Sequence, residues 1–99
     1  MTHSAGSFCR DASGRLCVEL HAVDSLQYPD YATRIADHFG LVPVGDLVVG
    51  FDEMFRDYTD EVATVGIEWD FWSGLIIVAK TDASEPLVHR IAEYLGVTR

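Results

Sequence analysis

The run Leu75-Ile76-Ile77-Val78-Ala79 is the strongest constraint on how this chain folds. Consecutive apolar residues entered through the turn pair Ser73-Gly74 predict a strand buried on both sides, which must lie within a sheet. The residues before it supply partners. From Val62 to about Phe71 the pattern alternates, with Val65, Ile67, Trp69 and Phe71 on a core face and Glu68 and Asp70 on the other. Trp72 joins the acidic side by parity if the strand extends that far. Thr59-Asp60-Glu61 is a polar tip, and a further strand is expected from Leu47 to about Tyr58. Residues 46 to 80 thus predict a three-stranded antiparallel meander, in which Met54-Phe55 and Gly66 interrupt alternation and could mark bulges.

Upstream, Leu16, Val18, Leu20 and Ala22 alternate with Cys17, Glu19 and His21, the period of a strand covering the core on one side. A helix follows, with Pro29 in its first turn and Tyr31, Ile35 and Phe39 as one apolar stripe. Gly40 is placed to end it in a left-handed cap, with Leu41 making the accompanying contact. The closing helix takes Asp82 or Ser84 as its cap and Glu85 in capping-box position. Its core stripe is Leu87, Ile91 and Leu95, with Val88 and Ala92 alongside, and Gly96 ends it. Arg34–Leu41 and Arg90–Val97 match position for position, as expected of two amphipathic helix ends closed by glycine. The order β-α-β-β-β-α predicts an α+β domain over residues 15–99, a mostly antiparallel sheet with both helices on one face. Residues 1–14 read as a flexible N-terminal arm with a short strand near Phe8-Cys9-Arg10.

Charge narrows the function. The 99 residues carry a formal charge of −9, which opposes nucleic-acid binding and anionic membrane surfaces, since both demand Lys and Arg. No apolar run is long enough for a membrane helix, and the first residues lack the basic and apolar regions of a secretory signal. Cys9 and Cys17 match no zinc or redox spacing and are expected as reduced thiols in a cytoplasm. The charge is concentrated. Asp46, Asp52, Glu53, Asp57, Asp60, Glu61, Glu68 and Asp70 stand against Arg56 alone, so residues 46–70 hold −7 of the −9. An acidic surface serves solubility and discourages edge pairing. A concentrated negative field also suits a basic protein partner, steered in by charge. Glu53, Asp57, Glu68 and Asp70 are the candidate binding residues, with Trp72 as the apolar anchor and Trp69 assigned to the core.

Enzymatic constellations are thin. Cys17, Glu19 and His21 share a strand face, but Cys17 and His21 stand about 13 Å apart along it, too far for a nucleophile and its base. Glu85, His89 and Glu93 form a helical row that could hold a metal, with no second cluster to complete it. There is no EF-hand loop, phosphate-cradling glycine loop or Gly-x-Ser-x-Gly elbow, and nothing singles out one carboxylate pair for acid/base work. No cofactor is implied.

The segment Glu68-Trp69-Asp70-Phe71-Trp72-Ser73-Gly74, with the apolar strand and final helix behind it, resembles small bacterial immunity proteins. The resemblance implies a non-enzymatic protein that neutralises a toxin by direct binding, and it transfers no particular binding residue. Two other readings stand beside it: a homodimer paired through an exposed strand edge or aromatic patch, and a small metal-dependent or acid/base enzyme.

Overall fold

The computed structural model describes residues 6–97. It is an α+β fold of one six-stranded sheet and two helices. In chain order the elements are β1 (Gly6–Arg10), β2 (Leu16–Leu20), α1 (Tyr28–Phe39), β3 (Val42–Val49), β4 (Glu53–Thr59), β5 (Thr64–Asp70), β6 (Gly74–Ala79), a single 3-10 turn (Asp82–Ser84) and α2 (Glu85–Tyr94). The strand order is β1-β2-β6-β5-β4-β3, every pair antiparallel. The apolar run Leu75–Ala79 lies on β6, between β2 and β5.

Two expectations need correction. The stretch Leu47–Tyr58 is not one strand: Gly50–Asp52 turn the chain, with the Gly50 amide donating to the Glu53 carbonyl at 2.8 Å, and the meander has four strands. Residues 6–14, read as part of a flexible arm, form β1, which contains the short strand expected near Phe8-Cys9-Arg10, and its turn, with Cys9 directly opposite Cys17 and the two sulfurs joined in a disulfide. The cysteines, expected as separate reduced thiols, meet because a hairpin brings them into register. The remainder of that arm, residues 1–5, lies outside the described residues.

Both helices pack on one sheet face. Leu16, Val18, Leu20, Val65, Ile67, Leu75, Ile77 and Ala79 meet Ala32, Ile35, Leu87, Val88, Ile91 and Ala92 in one buried cluster. Tyr28 anchors α1 by donating its hydroxyl to the Ile67 carbonyl at 2.6 Å. Trp69 packs beside this core and donates its indole N–H to the Val23 carbonyl at 2.8 Å. The two matched helix ends close alike. Gly40 and Gly96 adopt left-handed φ, the Leu41 amide reaches back to Ala36, and the Val97 amide reaches back to Ala92, each at 2.9 Å. Leu41 and Val97 are then buried against the core.

The start of α2 departs from a capping box. The Ser84 hydroxyl accepts the Thr64 amide at 2.9 Å, tying the 3-10 turn to β5. Glu85 reaches across to β1 and β2, accepting from the Leu16 amide at 3.1 Å and from Arg10 at 2.6 Å. Its carboxylate thus pins the hairpin to the helix. The expected bulges at Met54-Phe55 and Gly66 are absent from the β4–β5 register, and the irregularity falls in β3, between Val44 and Val48.

Candidate functional site: the open face of the sheet

With both helices on one side, the other face of the sheet is open. Strand register places its side chains in rows. One row runs Cys9, Cys17, Val78, Gly66, Asp57 and Val44; the next runs Glu19, Ile76, Glu68, Phe55 and Val48. A third pairs Glu53 with Asp70, and Asp70 with Gly74. Four of the candidate residues, Glu53, Asp57, Glu68 and Asp70, therefore share this face because each occupies the same strand parity. Glu19 joins them from β2. The fifth, Trp72, lies off the strands.

These carboxylates are not equivalent. Lys80 extends over Gly66, where a Cβ would meet its Cε at 2.8 Å, and reaches Glu68 at 3.1 Å and Asp57 at 3.6 Å. Glycine at this point leaves room for the ion pairs to cross the sheet. Burial alone would lower the Lys80 pKa, but the adjacent Glu68 and Asp57 carboxylates outweigh it and hold the ammonium above its ordinary value. Asp70 does structural work, its Oδ1 accepting the amides of Trp72 at 3.0 Å and Ser73 at 2.6 Å. Glu53 is exposed, and among the described residues its carboxylate has no ion pair. Among the described residues, the strands of this face carry five carboxylates (Glu19, Glu53, Asp57, Glu68 and Asp70) with Lys80 extended over them, and Arg10 and Asp11 border the face at its β1–β2 end.

Apolar side chains lie among the acids. Val44 and Val48 are about half exposed and Phe55 more than a third exposed. At one end of the sheet the Gly50–Asp52 turn meets the Phe71–Ser73 turn, the Phe71 amide donating to the Asp52 carbonyl at 3.0 Å. Phe71 was expected in the core. β5 instead ends at Asp70, whose side chain captures the next amides, and Phe71 turns outward at 70% exposure beside Trp72 at 72%. Their rings meet edge-on at 5.8 Å, and Phe51 stands fully exposed on the facing turn. Between the turns, on the side of the sheet that carries the helices, is a recess of about 360 Å³ lined by residues including Ser25, Phe51, Met54, Trp69 and Phe71. The exposure of Phe51 and Phe71 was missed, and the clue was Asp70 two and three residues before Trp72 and Ser73, the spacing of an Asx turn.

The constellations weighed for catalysis are not assembled as such. Cys17 is held in the disulfide, and the Glu19–His21 approach is 3.8 Å. On α2, Glu85 is engaged by Arg10 and Leu16, and the His89 ring lies 5.3 Å from that of Phe8. No helix among the described residues is long and apolar enough to cross a membrane.

No protein-family model matches this chain, and neither a curated protein nor a solved structure matches it.

Proposed function

We propose that the chain is a non-enzymatic protein-binding domain whose open sheet face docks a basic protein. In the manner of the immunity proteins that Glu68–Gly74 resembles, the partner would be a basic toxin. The observation that carries this reading is the gathering of Glu53, Asp57, Glu68 and Asp70, with Glu19, on the face that the helices leave open. Like charges held close cost self-repulsion, and a cationic surface offsets it while accelerating encounter. Exposed apolar residues beside the acids supply what charge alone lacks. Trp72 beside the Asp70 turn and Phe55 within the face are the type of residues that dominate interface energetics once desolvated.

A second copy of the chain fits this surface less well. Of the two edge strands, β3 carries Pro43, a register break and Asp46, all of which discourage edge-to-edge pairing there. Two-fold pairing about the middle of β3 would also bring both Asp46 carboxylates together. The proposed setting is the cytoplasm, a compartment whose reductants would open the Cys9–Cys17 disulfide.

A pull-down from source lysate at low and high salt tests the reading. A basic protein retained at low salt and released at high salt is expected. Recovery of no basic protein, or equal retention by a Glu53→Lys/Asp57→Lys variant, would sink it. That pair of substitutions spares Asp70 and so leaves the β5–β6 turn intact.

A further inference from the structure

The open face holds a second grouping, at the end of the sheet away from β3. Cys9 and Cys17 are directly opposed with Cα atoms 5.1 Å apart, and Glu19 lies two residues along β2 on the same face. Both sulfurs and a Glu19 carboxylate oxygen lie within 4.8 Å of one another. We propose that, with the cysteines in their dithiol form, Cys9, Cys17 and Glu19 form a binding site for a thiophilic divalent cation, zinc being the type case.

The chemistry of the donors supports this. Cys thiolates and Glu carboxylates are both zinc ligands, with Zn–S near ~2.3 Å and Zn–O near ~2.0–2.2 Å. Such distances place two ligating sulfurs about 3.8 Å apart, which the opposed pair reaches once the S–S bond is opened and the side chains rotate. Beside these ligands, where a fourth position would be completed, is a shallow cavity of about 230 Å³ lined by Cys17 and Glu19, by Asp11, Glu68 and Asp70, and by the cations Arg10 and Lys80. Water fills that position in a three-ligand site. Asp11, Glu19, Glu68 and Asp70 outnumber Arg10 and Lys80 around this cavity, so its lining is net acidic and favours a cation. In the dithiol state the metal would take over the link between β1 and β2 that the disulfide makes covalently.

The steps balance simply. Opening the disulfide consumes two electrons and two protons; a phosphine reductant supplies the electrons and takes up the oxygen of one water. Zinc then displaces two protons, one from each thiol, so binding weakens as pH falls. The proposal is independent of the docking reading, and its test uses no protein partner.

The test is a zinc titration of the full-length chain, reduced with a phosphine under nitrogen, against a chromophoric chelator. Cobalt(II) substitution in parallel reports thiolate ligation through its charge-transfer band. One zinc per chain is expected for the reduced protein and none for the oxidised protein, which has the same sequence and fold. Glu19→Gln should weaken binding by about tenfold or more, the scale typical of altering a metal site's supporting groups. Reduced protein that binds zinc no more tightly than oxidised protein would overturn the site. An unchanged affinity in Glu19→Gln, or a cobalt adduct without thiolate charge transfer, would overturn it equally.

Discussion

At Gly74 a single hydrogen atom is the largest side chain the fold admits. Its φ is +76°, and a Cβ there would run into the Leu20 carbonyl and the His21 backbone across the β2–β6 pair. Gly74→Ala should therefore cost about 2 kcal/mol or more, combining left-handed strain with displacement of β2, and urea unfolding would measure it. Tyr28 gives a second test. Burial pushes its phenol pKa well above the ordinary value of 10.0. The neutral phenol is then favoured by folding, so this contribution is complete below pH 10.0 and is lost as pH rises beyond it. Tyr28→Phe should remove that alkaline component of the stability profile and cost about 1 kcal/mol at neutral pH by removing the buried hydrogen bond to the Ile67 carbonyl. At this scale the sequence was legible wherever parity governs: Glu68 and Asp70 on one face, Trp69 toward the core. It failed at Phe71, because a side-chain turn at Asp70 ended the strand before parity could apply.

Elements were legible in proportion to the length and regularity of their pattern. Both helices announced themselves by stripe and glycine, and their ends share the same backbone closure from Ala36 to Leu41 and Ala92 to Val97. β1 was legible only as a short strand near Phe8-Cys9-Arg10, since a five-residue edge strand of small and polar residues carries little periodic signal. Its placement comes from tertiary links: the disulfide to β2, and Arg10 to Glu85 on α2. Reducing the disulfide without metal should lower stability by about 2–3 kcal/mol, from the loop-closure entropy returned to the unfolded chain. Comparing oxidised and reduced protein in guanidinium unfolding checks this. In α2, Ile91 is fully buried whereas Leu95 is only partly so. Ile91→Ala should cost about 2–5 kcal/mol and Leu95→Ala distinctly less, and parallel thermal melts would rank the two.

For the whole molecule, the fold class followed from the element types, and the sheet's one-sided cover explains where the charge lies. The carboxylates of residues 46–70 do not form one patch. Glu53, Asp57, Glu68 and Asp70 lie on the open face, while Asp60 and Glu61 sit in the β4–β5 turn, where Asp60 accepts the Val62 and Ala63 amides at 2.9 and 2.8 Å. Linear counting could find the excess but could not divide it between a surface and a turn. Nor could it foresee that Lys80, from beyond the segment, would partly neutralise Asp57 and Glu68. What remains is an acidic, partly apolar face directed away from both helices, with Trp72 beside it.

The most direct test of this account is the affinity of the captured basic partner for wild-type protein and for Glu53→Lys/Asp57→Lys, titrated calorimetrically over a range of salt. The account predicts binding that weakens steadily with salt, and a loss of about tenfold or more in the charge-reversed variant at low salt. An affinity indifferent to both salt and charge reversal would contradict it.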